Sequence, residues 1–192
     1  MRTPVGTTAA EATNFFWHCH VAVKLIDELP ETTATKGHAL RAVRMATLCA
    51  AGSNGVQYAS DKARMKREAH GKPWGKCGLI KEHVIPASLV RTLVLEELKA
   101  TRNQELVAFS LVDSNENANW LTPEVIAQFR QYPRAWQAAK IIRDWTLLAW
   151  VTDHEHKELD GRGLGERMPT GWAPGQNRFA RYTNCNIAVS RI

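Results

Sequence analysis

The spacing of apolar residues predicts that the first part of the chain is helical. Three stretches place their apolar side chains on one side of a helix: Thr7 to Leu29, Thr35 to Ala51 and Val56 to Ala69. Pro30 and Gly52 follow the first two stretches and are typical helix ends. The third stretch carries a polar and mostly basic surface.

A loop follows these predicted helices. The segment from His70 to Lys76 has the density of Gly and Pro that is typical of loops. We expect a domain boundary there, between a helical N-terminal region of residues 1–70 and a second region of residues 71–192.

The second region is predicted to alternate between strands and helices. Leu79 to Ile85 and Thr146 to Thr152 are short and apolar, which favours strands, and a last strand is predicted at Ile187 to Val189. Helices are predicted at Ala87 to Lys99, Asn103 to Leu111, Thr122 to Phe129, Trp136 to Asp144 and Thr152 to Leu159.

The order of these elements indicates the fold class. If the first two strands pair in antiparallel fashion and the helix after the second strand folds over them, the three elements form a ββα unit. We therefore expect an α+β fold that is mainly helical, with a small ββα unit carrying the candidate site. Its polar residues would converge on one point: Glu82, His83, Asp153, His154 and His156.

These residue types suit phosphodiester hydrolysis. A hard divalent cation binds oxygen ligands, tolerates an imidazole nitrogen and polarises a phosphate. A neutral His nearby can take a proton from the attacking water, because its pKa lies near neutrality. In a regular strand Glu82 and His83 point to opposite faces, so both reach one cleft only if the strand bends before Pro86.

Two segments resemble the HNH nucleases of the ββα-metal superfamily. The segment from Glu82 to Pro86, EHVIP, resembles the opening of that motif, which has Asp or Glu, then His, two apolar residues and Pro. The segment from Thr152 to Leu159, TDHEHKEL, resembles its closing helix. Here the two halves lie about 70 residues apart, so the resemblance requires a helical insertion between them.

The resemblance implies a metal-dependent endonuclease that hydrolyses phosphodiester bonds of DNA. It makes Glu82 a metal ligand, His83 the general base and His156 the closing ligand, with His154 as an alternative and Asp153 as a further candidate. An Asn that orients the base would be one of Asn115, Asn117 and Asn119. The implied cofactor is a divalent metal, Mg²⁺ or Mn²⁺.

The charge distribution favours a polyanionic partner. The net charge is +6, and seven Lys or Arg lie between Asp61 and Lys81, with five more Arg from Arg162 onward. Basic segments around an acidic middle suit a protein that grips a polyanion with two patches. Taken with the resemblance, the implied partner is nucleic acid, DNA rather than RNA. The candidate contacts are Lys62, Lys66, Arg67, Lys72, Lys76, Arg178 and Arg181.

The composition is that of a globular protein, with 44% apolar and 23% charged residues. No apolar run approaches the roughly 18 residues of a membrane span, and no signal peptide is recognisable. Four widely spaced Cys favour free thiols, so we expect a cytoplasmic protein without a membrane partner. The alternative to a nuclease is a non-enzymatic helical accessory protein that binds nucleic acid or another protein.

Overall fold

The structure is a computed structural model that describes residues 9–53, 55–104 and 121–192. Over these described residues the fold is mixed α+β, 61% helical, with a small four-stranded sheet. The helices are α1 (Ala9–Asp27), α2 (Thr33–Ser53), α3 (Asp61–His70), α4 (Ala87–Ala100), α5 (Pro123–Gln131), α6 (Pro133–Trp145), α7 (Asp153–Gly161) and α8 (Ala180–Asn184). The strands are β1 (Tyr58–Ser60), β2 (Ile80–His83), β3 (Leu148–Val151) and β4 (Val189–Arg191), and a short 3₁₀ helix covers Trp74–Lys76.

The chain folds into two compact units. The first contains residues 1–53 and 91–145, and the second contains residues 54–90 and 146–192. Residues 54–70, which the sequence groups with the helical N-terminal region, belong to the second unit. Helix α4 begins in the second unit and continues into the first.

The first unit is helical and is held together by a buried aromatic cluster. Helix α1 packs against α2, α5 and α6. Phe16 of α1 meets Phe129 of α5 edge to face, with ring centroids 5.2 Å apart, and Phe129 meets Trp136 of α6 at the same distance. All three side chains are buried, so their removal from water contributes strongly to the stability of this unit.

The second unit contains the sheet, whose strand order is β2-β3-β1-β4. Strand β3 pairs antiparallel with β2 and parallel with β1, and β4 pairs antiparallel with β1. As an inner strand, β3 is nearly all apolar, and Leu148, Ala149 and Val151 are fully buried. The pairing of β2 with β3 confirms the antiparallel arrangement expected from the sequence.

Most predicted elements are confirmed, with one clear correction. The helix predicted from Val56 to Ala69 is wrong for its first part, because Tyr58–Ser60 forms β1 and the helix begins only at Asp61. Strand β1 pairs on both sides, with β3 and with β4, and this pairing prevails over the local helical pattern. The helix predicted at Asn103 to Leu111 lies largely outside the described residues.

Two further expectations can be compared with the structure. All four cysteines lie in the described part of the chain and are free. Within that part, no helix is both long enough and apolar enough to cross a membrane.

Candidate active site

Two segments that are distant in sequence meet at the β2–β3 pair. Strand β2 carries Glu82 and His83, and the register pairs them with Ala149 and Leu148 of β3. Helix α7 begins directly after β3, at the cap residue Thr152. The arrangement of β2, β3 and α7 therefore brings the two halves of the predicted motif together.

A hydrogen bond between Glu82 and His156 joins the two segments. Nδ1 of His156 lies 2.8 Å from Oε2 of Glu82, across 74 residues of sequence. The Glu82 side chain is 14% exposed and that of His156 is 34% exposed, so the pair is sheltered but open to solvent. The other ring nitrogen of His156, Nε2, lies 3.5 Å from Oδ2 of Asp160, one turn further along α7.

Arg181 holds the other carboxylate oxygen of Glu82. Its Nη2 donates to Glu82 Oε1 at 2.7 Å and also to the backbone carbonyl of His83. Nε donates to the carbonyl of Val84, and Nη1 donates to those of Leu164 and Gly165. Since Arg181 is 0% exposed and all three nitrogens donate within the protein, the predicted nucleic-acid contact at this residue is corrected: Arg181 anchors Glu82.

The carboxylate of Asp160 lies close to the loop that Arg181 also binds. A Cβ atom at Gly165 would lie only 1.9 Å from Oδ1 of Asp160, so a larger residue there would displace this exposed carboxylate. Contacts thus connect Arg181, Glu82, His156, Asp160 and Gly165 in a closed ring. This ring positions His156 between two carboxylates.

His83 follows Glu82 in β2, and no contact is described between the His83 side chain and the side chains of this ring of contacts. Burial lowers the pKa of His83, which favours the neutral imidazole. Its carbonyl accepts a hydrogen bond from the hydroxyl of Tyr182 at 3.2 Å, and burial raises the pKa of Tyr182 to about 12. Strand alternation points His83 away from Glu82, to the face that also carries Lys81 and its partner Trp150.

The remaining predicted ligands lie on the exposed start of α7. Asp153 is exposed, and its hydrogen bond with Lys157, at 2.6 Å, lowers the pKa of that carboxyl. His154 is exposed on the same helix. Neither has a described contact with Glu82 or His156. The three candidate Asn residues, Asn115, Asn117 and Asn119, lie outside the described residues.

The carboxylate and imidazole donors near Glu82 are few, and they are hydrogen-bonded to each other and to Arg181. Among the residues that the structure describes, no group of three or more His, Cys, Asp or Glu is arranged to hold a metal ion. Glu82 and His156 nevertheless supply one carboxylate and one imidazole within hydrogen-bond distance. Mg²⁺ commonly keeps several of its waters and binds only one or two protein carboxylates, so a small donor set suits it.

A second polar link in this unit was not expected from the sequence. Glu155 is only 2% exposed, and its Oε2 accepts from the hydroxyls of Ser60 and Thr152 and from the backbone N–H of Thr152. Thr152 and Glu155 form a capping box on α7, while Ser60 also caps α3. The spacing Thr-x-x-Glu signals the box, but nothing in the sequence signals the partner Ser60, 95 residues away.

Arg178 is half-buried in the C-terminal segment. The other predicted nucleic-acid contacts lie on α3 and on the segment that follows it as far as the end of the 3₁₀ helix. We call them the basic surface: Lys62, Lys66, Arg67, Lys72 and Lys76. All except Lys66 are exposed, and Lys66 donates to the carbonyl of Gly78 at 2.9 Å. The guanidinium of Arg67 lies 5.1 Å from the ring centroid of Trp74. This surface combines positive charge with an aromatic ring.

Comparisons with protein-family models, with curated proteins and with solved structures found no match to this chain.

Proposed function

We propose that the chain is a metal-dependent endonuclease of the HNH type that hydrolyses phosphodiester bonds of DNA. The observation that supports this proposal best is the 2.8 Å contact between Glu82 and His156. These residues belong to the two segments that resemble the opening and closing parts of the HNH motif. The contact brings an imidazole and a carboxylate to the junction of two antiparallel strands and a helix, as the resemblance requires.

Glu82 and His156 would hold the divalent ion, Mg²⁺ or Mn²⁺. When bound, such an ion stabilises the negative charge that develops on the phosphate and on the leaving oxygen. Arg181 fixes the Glu82 carboxylate through a charge-assisted hydrogen bond, and Asp160 approaches the opposite nitrogen of the His156 ring. These contacts keep both side chains oriented, which is the main contribution of the protein to such a site.

His83 is the general base of this proposal. Its lowered pKa keeps the ring neutral at pH 7, and a neutral imidazole can accept a proton from the attacking water. Strand alternation points His83 and Glu82 to opposite faces of β2, so they can serve one phosphate only at the end of the strand. Substitution of His83 is therefore the most direct experimental test of this proposal.

One observation favours a second candidate function, a non-enzymatic nucleic-acid-binding accessory protein. The guanidinium of Arg181 already neutralises Glu82, at 2.7 Å, in a buried position. A carboxylate with a permanent counter-charge can serve as a structural link between β2 and the C-terminal segment. In that case the ring of contacts stabilises the fold, and binding is the whole function.

The first prediction distinguishes these functions by cleavage. Supercoiled plasmid and total RNA are incubated with the protein in Mg²⁺, Mn²⁺ or EDTA, and products are separated on gels. We expect nicking or linearisation of plasmid with a divalent ion and none in EDTA. Glu82→Gln, His156→Asn and His83→Ala should each lower the rate by about a hundredfold or more, because ligands and general bases contribute on that scale.

Two substitutions serve as matched controls. Glu158→Gln alters a carboxylate of α7 whose partner is Arg162, and His38→Asn alters an exposed imidazole of the first unit. Both should cleave like the wild type. Full cleavage activity of His83→Ala would show that His83 is not the general base. A wild-type protein that retards DNA in gels but cuts nothing with any ion would support the accessory function instead.

A further inference from the structure

An aromatic pair lies beside the basic surface. The indole rings of Trp74 and Trp150 are nearly parallel, at 4°, with centroids 6.4 Å apart, and the guanidinium of Arg67 lies over the Trp74 ring. Both Trp side chains are half-buried rather than part of the closed core. The planar groups of two Trp and one Arg are therefore gathered at a partly open position of the second unit.

The segment that carries Trp74 is held firmly in place. The backbone N–H of Cys77 donates to the carbonyl of Trp74, and the Cys77 thiol contacts the carbonyls of Lys72 and Pro73. The ammonium group of Lys66 ties the end of the segment by donating to the carbonyl of Gly78. A ring that is already ordered loses little conformational entropy when a ligand stacks on it, so this segment is preorganised for binding.

Positive charge surrounds the aromatic pair. Lys72 and Lys76 lie two residues to either side of Trp74 and are both exposed, and Arg67 stands over its ring. Lys81 is the register partner of Trp150, so it shares a face of the sheet with that ring. A ligand that places a planar group against Trp74 therefore meets cations on several sides, as the phosphates of a nucleotide chain require.

The same face of the sheet leads to His83. Lys81 and His83 are two residues apart on β2, so their side chains point to the same face of the sheet, which is also the face of Trp150 on the neighbouring strand. A strand of nucleic acid that stacks on the aromatic pair and follows Lys81 therefore runs toward the imidazole that serves as the general base of the proposed function.

We propose that Trp74, Trp150 and Arg67 form a stacking platform for an unpaired base, so that the substrate of this protein is nucleic acid with a single-stranded segment. Bases inside a duplex are already stacked on their neighbours and expose only their edges. An unpaired base presents its full face, and aromatic rings with a nearby Arg bind such bases without regard to sequence. The inference rests on the proposed function only in taking nucleic acid as the substrate.

The second prediction measures binding in EDTA, where no metal-dependent cleavage takes place. The full-length protein is titrated against a fluorescein-labelled 20-nucleotide oligothymidylate, the matching oligouridylate, and a mixed-sequence duplex of equal length, with fluorescence anisotropy as the readout. We expect each single strand to bind more tightly than the duplex. Trp74→Ala should weaken single-strand binding by about tenfold and leave duplex binding within twofold, because one base-stacking contact is lost.

Trp172→Ala is the matched control, since Trp172 is also half-buried in a basic segment rich in Gly and Pro. Its indole N–H donates to the carbonyl of Asn177, and its substitution should leave single-strand binding within twofold. If Trp74→Ala fails to fold by circular dichroism, Trp74→Phe and Trp74→Leu replace it. Phe should retain most of the affinity and Leu should lose about tenfold, because only Phe keeps a ring to stack on.

The inference is overturned if Trp74→Ala, or Trp74→Leu in its place, binds single strands as tightly as the wild type. Duplex binding that equals or exceeds single-strand binding overturns it too. Because binding is measured without metal, its outcome is separate from that of the cleavage assay. Tight binding that depends on Trp74, without cleavage, would support the stacking platform and contradict the nuclease function. Cleavage by the wild type, together with unchanged single-strand binding by the Trp74 variant, would support the nuclease function and contradict the platform.

Discussion

His20 is a titratable side chain enclosed by aromatic rings. Its imidazole stacks on Phe16, with ring centroids 5.7 Å apart, and meets Tyr132 edge to face at 4.4 Å. Burial lowers the pKa of His20, and the positive charge of Lys24 lowers it further, against a smaller opposite effect of Glu28. Protonation would place a charge among these rings, so the folded first unit prefers the neutral form.

The third prediction follows from the sign of this shift. The unfolded chain protonates His20 near pH 6.5, while the folded chain does so only at lower pH. Stability is therefore fully present above about pH 6.5 and is lost as the pH falls from there through the folded pKa. Thermal unfolding followed by circular dichroism should give a Tm that declines between pH 7.5 and pH 5, and His20→Gln should reduce this decline.

The decline should shrink without vanishing, since the pKa values of His18 and His83 are lowered by burial as well. His38→Gln changes an exposed imidazole and should keep the wild-type slope. An unchanged slope in His20→Gln would contradict the prediction.

At this scale the sequence identified residue types better than residue environments. The acid and imidazole of the Glu82–His156 contact were both predicted site residues, because their types match a recognisable pattern. The sequence does not indicate that Arg181 is buried, because most of its acceptors are backbone carbonyls that come together with the Glu82 carboxylate and the Tyr182 hydroxyl only on folding. Backbone acceptors leave no signature in a sequence, so a buried Arg looks like an exposed one.

At the scale of elements, helix α7 begins with a reciprocal capping box. The Thr152 hydroxyl caps the helix by accepting from the N–H of Glu155, and the Glu155 carboxylate accepts from the N–H of Thr152. Helix α5 has a simpler start, where Thr122 accepts from the N–H of Val125. The two helices each have nine residues, so their caps can be compared directly.

The fourth prediction compares the two caps. Thr152→Ala and Thr122→Ala should each lower the free energy of unfolding by about 1 kcal/mol, with the larger loss at Thr152 because its hydroxyl also contacts Glu155. Urea denaturation measures both. Only Thr152→Ala should also weaken plasmid cleavage, because α7 carries His156. Thr152→Ser keeps the hydroxyl and should restore both properties; equal effects of the two Ala variants on cleavage would argue against a role of this cap at the site.

The helices were predictable because apolar spacing and caps are local signals, as at Thr122-Pro123 of α5. Strand β1 was not, because three residues carry too little periodicity to mark a strand. Its pairing with β3 and β4 depends on segments from the other end of the sequence. The ββα order of β2, β3 and α7 was predictable, since each element has its own pattern, whereas the parallel neighbour of β3 was not.

At the scale of the whole molecule, the position of the positive charges bears more on the binding of a polyanion than the net charge of +6 does. The five residues of the basic surface all lie within one short stretch of the second unit, on α3 and the segment after it. If nucleic acid binds through this stretch as proposed, counterions are released from the phosphates it contacts, and the affinity then depends steeply on salt.

The fifth prediction concerns the magnitude of this salt dependence of the affinity. If the five side chains each neutralise one phosphate of a single strand, the logarithm of the affinity should fall with the logarithm of salt concentration with a slope of about −3.5. Anisotropy titrations in EDTA at several salt concentrations measure it. Arg67→Gln should make the slope shallower by about 0.7, while Lys36→Gln, in the first unit, should leave it unchanged.

The sheet order β2-β3-β1-β4 has a consequence for how the protein is made. During synthesis β1 and β2 leave the ribosome early, but their common neighbour β3 follows only after α4, α5 and α6 have been translated. Neither early strand has a partner until then, and the sheet cannot close before β4 emerges. Long-range pairings of this kind fold slowly, so the second unit completes its sheet only late in translation, whereas the helices of the first unit are all translated before β3.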